Sequence, residues 1–230
     1  MPGRLLLRVA AVAVAAGGVV SVCGGAGGWN PTINPDDFVS VIDNPLLPFE
    51  PGTTFVYEAD GRDGREREEV VVTHEKKVIL GVTCTVVRDT ATTDGEVTEV
   101  TLDWYAQHRD GTVWYFGEDS KEYKKGKVVG TAGSWQAGVH GAKPGILMEA
   151  HPKVGDTYHQ EFAQGVAEDM ATVVSLKGSA TVPYGSFTNC LKTKEFSPLE
   201  PGVMEHKLYA PGVGNVIDSE LHLVSVTHGG

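Results

Sequence analysis

The chain is expected to be mainly β: an antiparallel curved sheet, half-barrel or sandwich built from two fused β-meander repeats. Three observations carry that expectation. Short runs rich in Val, Thr and aromatic residues alternate with glycine-bearing turns such as DGRDG, TTDGE and RDGT, the pattern of strands joined by tight connections. No segment sustains a helical period. The sequence also matches itself three times, in the same order and at nearly constant offset.

The first element is a leader. Arg4 and Arg8 precede an apolar run over residues 9–22, the layout of a secretory signal peptide, assigned to residues 1–26. The run carries Gly17 and Gly18 and is shorter than the roughly 20 apolar residues a membrane-spanning helix needs. Two processing routes fit. VSVC ending at Cys23 resembles a lipobox, although Val22 stands where Gly or Ala is usual, and Gly24-Gly25-Ala26 suits ordinary cleavage. Either route places the protein outside the cytoplasm, secreted or associated with the cell envelope. Any membrane attachment would be through a lipid on Cys23 alone.

Removal of residues 1–26 leaves 17 basic against 30 acidic residues, a net charge of −13. That balance argues against nucleic acid and anionic membrane surfaces as partners.

Residues 27–50, containing WNPTINPDDF and DNPLLPFE, are too rich in Pro and Asn for a helix and read as an extended linker. The β domain follows over residues 51–230. Repeat one, 51–116, holds expected strands at 53–58, 68–73, 77–80, 84–89, 97–105 and 113–116. A connector spans 117–153. Repeat two, 154–223, holds strands at 157–162, 170–176, 191–196, 205–209 and 216–223. Short helical turns are allowed only at 146–150 and 166–169.

The repeats align PGTTFVYE with VGDTYHQE, pairing Gly52 with Gly155 and Phe55 with Tyr158. They align Cys84 with Cys190, Tyr105 with Tyr209, and Val113 with Val216. Two cysteines at equivalent strand positions of an exported chain make a Cys84–Cys190 disulfide the expected pairing, with two buried thiols as the alternative. A bridge closing a loop of about a hundred residues would stabilise the fold by roughly 4–5 kcal/mol.

The stretches LPFEPGTTFVYE, VPYGSFTNCLK and YAPGVGNVIDSE resemble a broad group of uncharacterised exported bacterial β-proteins and lipoproteins, over residues 45–220. Related exported folds, such as the curved half-barrels of lipoprotein carriers, look like lipid or small-ligand binders, so the resemblance implies a binding role by analogy of fold. It brings no catalytic residues with it.

The densest stretch is DWYAQHRDGTVWYFGED, residues 103–119. Read as a hairpin, alternation puts Leu102, Trp104, Ala106 and His108 on one face and Asp103, Tyr105 and Gln107 on the other. Val113 and Tyr115 then oppose Trp114 and Phe116. Cross-strand packing accounts for most of these rings, and a ligand-stacking wall is the alternative. Trp104, Trp114 and Trp135, with His108 and His140, are the candidate ligand contacts. Trp135 and His140 sit in the glycine-rich run 130–145, read as a linker or as a loop covering a cavity.

Signals for chemistry are sparse. His108, His140, His151 and His159 lack the HxH or HExxH spacing that fixes two metal ligands on one element. No GxSxG elbow or phosphate-binding glycine loop occurs. Neither a metal nor a cofactor is expected. The reading is a non-catalytic binder of a small or apolar ligand in a cavity between the repeats. A metal-dependent extracytoplasmic enzyme using the central histidines, or an envelope structural or interaction module, are the alternatives.

Overall fold

The computed structural model describes residues 28–62 and 64–229. The leader and the candidate lipidation site Cys23 lie outside them. Among the described residues no helix is long and apolar enough to cross a membrane, and the sole helical element is one turn at Pro35–Asp37, capped by Asn34.

Sixteen strands form one continuous antiparallel sheet, curved into a nearly closed barrel. A two-residue strand, β1 (Phe38–Val39), leads into β2 (Thr53–Gly61), β3 (Gly64–Ile79), β4 (Val82–Thr93), β5 (Glu96–His108) and β6 (Val113–Lys124). These last five pair in succession as a meander. The next segment adds β7 (Lys127–Gly130), β8 (Trp135–Gln136) and β9 (Lys143–Met148), all paired with β6. Two short pieces, β10 (Thr157–His159) and β11 (Glu161–Phe162), precede a second meander. It comprises β12 (Met170–Val182), β13 (Gly185–Phe196), β14 (Glu205–Ala210), β15 (Gly214–Asp218) and β16 (Leu221–His228).

Two seams turn the meanders into a barrel. The last strand, β16, pairs with β2, aligning Phe55 with Val226. At the opposite side, β10 pairs with β12 while β11 pairs with β9. Only Gln160 separates β10 from β11, so one extended segment fastens both free edges. Closure of this kind removes the exposed edges that make open sheets prone to aggregation.

The residues that match in sequence occupy corresponding rungs of the two meanders. Phe55 pairs with Val70 and Val70 with Asp89; Tyr158 pairs with Ala171 and Ala171 with Glu195. One residue beyond each cysteine, Thr85 faces Tyr105 and Leu191 faces Tyr209. Gly52 and Gly155, both at positive φ, donate to Val72 and Val173 at 2.8 and 2.9 Å. The correspondence slips after the hairpin, whose turn differs between copies. Tyr105 faces Tyr115 but Tyr209 faces Asn215, so Val216 occupies the position equivalent to Phe116 and not to Val113.

Several expectations are corrected. The disulfide is absent: Cys84 and Cys190 are free and fully buried. Both lie on the convex side of their strands, since their neighbours Thr85 and Leu191 belong to the opposite alternation, and five strands stand between β4 and β13 in the sheet. At roughly 4.8 Å per strand no bridge can form. The connector is not a free loop, because it supplies β7, β8 and β9. The helical turn allowed at 146–150 is largely strand, with Ile146 paired to Trp114. That at 166–169 is a turn closed by an Ala163–Ala167 bridge.

The linker is extended but docked. Gln107 accepts from the amides of Asp43 and Asn44, both at 2.9 Å, and the Asn44 amide side chain donates to the carbonyls of Gly111 and Glu149. Leu47 and Phe49 thereby enter one end of the barrel, where the Phe49 ring lies 5.5 Å from Tyr105.

Candidate functional site: a carboxylate and tyrosine interior

The concave face is polar. Along β5 the inward side chains are Glu99, Thr101, Asp103, Tyr105 and Gln107, all buried. Their outward neighbours Leu102 and Trp104 line a groove with Trp135, Gln136 and Val139 of the connector. Strand alternation dictates this division, and the sequence pattern has the faces right. The inner one is the side that carries charge.

On β6 the alternation breaks at a bulge. Asp103 faces Glu118 but Tyr105 faces Tyr115, so β6 uses one residue more than β5 over that step. Gly117 takes up the change at φ +125°, a conformation that favours glycine. Tyr115 and Glu118, three apart, consequently point the same way. The Tyr115 hydroxyl donates to Asp103 Oδ1 at 2.5 Å and lies 2.9 Å from Glu118 Oε2. Glu99 continues the row, accepting from Ser120 Oγ at 2.8 Å and Thr101 Oγ1 at 3.1 Å.

Burial sets the protonation of this array. Desolvation, opposed by the Tyr115 hydrogen bond, pushes the Asp103 pKa up to about 7. Desolvation and the Asp103 charge hold Glu118 well above the carboxylate range, and desolvation with Asp169 and Glu118 does the same for Glu161. Burial likewise keeps the Tyr105 and Tyr115 phenols protonated.

The second meander builds a counterpart with a cation in it. Lys207 Nζ lies 2.7 Å from Asp218 Oδ2 and 3.6 Å from Glu195 Oε2. Glu195 also accepts from Thr193 at 2.9 Å. Burial alone would lower the Lys207 pKa, but Asp218 and Glu195 outweigh it and hold the ammonium above its usual value. Burial raises Glu195, against the pull of Lys207.

The two arrays meet at a cavity of about 70 Å³ between the meanders, with Glu68, Asp89, Asp103 and Tyr105 on one side and Lys207, Tyr209 and Asp218 on the other. Leu47 and Phe49 of the linker close part of its wall. Its volume holds about two waters and falls well short of a drug-sized pocket.

The residues expected to contact ligand do not converge. Trp104 and Trp135 share an open groove of about 610 Å³ with Lys76, Lys77, Leu102 and Val139. The Lys77 ammonium sits 3.1 Å above the Trp104 ring, and Trp135 meets Tyr115 edge-on at 5.4 Å. Trp114 lies elsewhere, stacked on Trp29 at 6.1 Å. His108 packs edge-on to Phe38 and pairs with Asp110 at 3.0 Å. His140 is exposed at φ +50°. His159 lies between Trp29 and Phe162, and burial lowers its pKa. His151 is exposed. Among the described residues, no group of three or more His, Cys, Asp or Glu side chains is arranged to hold a metal ion.

Sequence reasoning missed the inner array because it sought function among tryptophans and histidines. The signal was present in E-x-T-x-D-x-Y-x-Q at residues 99–107, a polar row as regular as the apolar one beside it. No protein-family model, no curated protein and no solved structure matches this chain, so the fold and its carboxylate–tyrosine interior are the guides to its chemistry.

Proposed function

We propose that the protein is an exported, non-catalytic binding protein whose guest is a compact cation, of the size of ammonium or a short primary amine, held in the cavity between the meanders. The leader with Arg4 and Arg8 supports a role outside the cytoplasm. The wall of the cavity favours a cationic guest over an apolar one.

One observation carries the reading. Lys207 and Tyr209 on β14 stand where Asp103 and Tyr105 stand on β5, and Glu195 on β13 stands where Asp89 stands on β4. In one meander the rung between two carboxylates holds an ammonium; in the other, the same position holds a further carboxylate. Asp103 and Asp89 both face the cavity, with Glu68 beside them. A guest ammonium there would restore the charge pattern of its counterpart. Tyr105 and Tyr209 line the same cavity, and an aromatic wall is compatible with a cationic guest.

Thermal unfolding with methylammonium chloride tests this. A saturable rise in Tm is expected, absent with sodium chloride at matched ionic strength and with methanol, the neutral analogue of similar size. At a hundred times Kd the gain is about 2.7 kcal/mol, or roughly 5–11 °C for a domain of this size. Asp89→Asn should abolish it. A response that sodium chloride or methanol reproduces would end the cation reading. Export and the lipid anchor are tested separately, by fractionating cells that express Cys23→Ala: release into the medium supports the anchor, and an unchanged membrane fraction removes it.

A further inference from the structure

We propose that a guest cation enters the cavity in exchange for a proton held by the Asp103–Tyr115–Glu118 array. This rests on the cation reading above and adds its regulation: occupancy rises as protons become scarce. No bond other than O–H breaks. A carboxyl of the array becomes a carboxylate, its proton leaves to solvent, and the arriving cation replaces the charge.

The argument begins with a proton count. Tyr115 has one hydroxyl proton and two carboxyl oxygens within hydrogen-bond distance, at 2.5 and 2.9 Å. Serving both with hydrogen bonds requires a second proton, which one of the carboxyls must carry and donate back to the phenol oxygen. The site is buried and crowded with acids. Asp103 is faced by Glu99 and Tyr105 on its own strand and by Glu68, Tyr115 and Glu118 from β3 and β6. Glu161 and Asp169 approach from β11 and the segment after it. Asp89 of the adjacent strand β4 and Tyr57 of β2 line the same cavity, and Lys207, Tyr209 and Asp218 of β14 and β15 face it from the other side.

Lys207 is the one buried Lys or Arg among the described residues, and Asp218 and Glu195 already hold it. The array therefore stays protonated for want of positive charge. Asp103 belongs both to the array and to the cavity wall, so a cation beside it supplies that charge and expels the proton. The upward displacement of the Asp103, Glu118 and Glu161 pKa values agrees with this arrangement.

Two measurements test the exchange. The first is calorimetric titration of the full protein with methylammonium near pH 7, in buffers of different ionisation enthalpy. Up to one proton released per cation is expected, with affinity rising up to tenfold per pH unit in acid. Asp103→Asn should reduce the release to zero. The second is infrared spectroscopy of the unliganded protein at pH 7. A protonated-carboxyl band is expected, weakened in Asp103→Asn and in Glu118→Gln, each checked for native circular dichroism. Binding without proton release overturns the exchange and leaves the cation reading intact. Absence of the carboxyl band overturns it whether or not methylammonium binds. A band without methylammonium binding overturns both.

Discussion

Replacing Lys207 with methionine isolates the buried ion triad. The Lys207 side chain is 4% exposed, Asp218 10% and Glu195 0%. At an effective dielectric near 20, the 2.7 and 3.6 Å separations correspond to attractions of about 6 and about 5 kcal/mol. Desolvation of the ammonium offsets several kcal/mol of this. Methionine keeps the volume and loses the charge, leaving two buried carboxyls facing each other. Breaking such a cluster from one side costs about 3–5 kcal/mol, which lowers Tm by roughly 6–20 °C in a chain of this length.

The pH dependence separates charge from packing. Lys207 keeps its proton in the folded state above the usual value, so its contribution is complete below a pH of about 10.4 and is lost only above that. The deficit of the variant should shrink as pH falls from 7 to 4, because Glu195, already raised by burial, takes a proton once its partner is gone. Thermal unfolding followed by circular dichroism at both pH values reads this. A Tm within about 2 °C of wild type at pH 7, or a deficit unchanged by acid, would show that the triad does not bear on stability as argued.

The acid array makes the converse prediction for the whole protein. A carboxyl whose folded pKa is raised contributes stability at low pH that is lost as pH rises through the folded value. For Asp103 that window runs from about 4 to about 7, near 4 kcal/mol at 1.4 kcal/mol per unit and shared across the coupled groups. Urea midpoints should fall over this range in wild type and flatten in Asp103→Asn; equal slopes in the two proteins would contradict it. In Gly117→Ala, a Cβ would sit 2.3 Å from the Trp135 carbonyl oxygen at φ +125°. A loss of at least 1–3 kcal/mol is expected, together with a weaker carboxyl band as Glu118 is displaced; a loss under about 0.5 kcal/mol would mean the bulge is unimportant. Burial pushes the Cys84 thiol up to about 12, so Cys84 and Cys190 should react with a thiol reagent only after unfolding and without reductant. An unreactive pair in denaturant would instead indicate a bridge.

Much of the barrel was legible in the sequence because period-two alternation and glycine turns are local. The strand runs from Thr53 to Phe116, the two faces of 102–108 and the corresponding rungs of Phe55 and Tyr158 all follow from them. Which face turned inward was not legible, since closure depends on the pairing of β16 with β2, the last strand with one of the first, which no local pattern announces. Trp104 and Ala106 are buried on the convex side, where Lys77 caps the Trp104 ring and connector residues line the groove beside it. The bulge at Gly117 also escaped notice, although a glycine inside an aromatic strand run is its usual sign. Plain alternation does not put Glu118 and Tyr115, three residues apart, on one face, and only the bulge aligns them. The pairing of cysteines failed for a related reason: equivalent rungs of a barrel are kept apart by the strands between them.

The seam joining Phe55 to Val226 has a bearing on biogenesis. A chain made from its amino end exposes β2 with one side unpartnered until about 170 further residues have emerged, so the barrel cannot be completed piecemeal. Contacts this distant slow folding, placing it toward milliseconds to seconds, and leave the incomplete form vulnerable to pairing with its neighbours. Crossing a membrane before the final strand docks would suit such a molecule, whereas a premature start would strand it half-built.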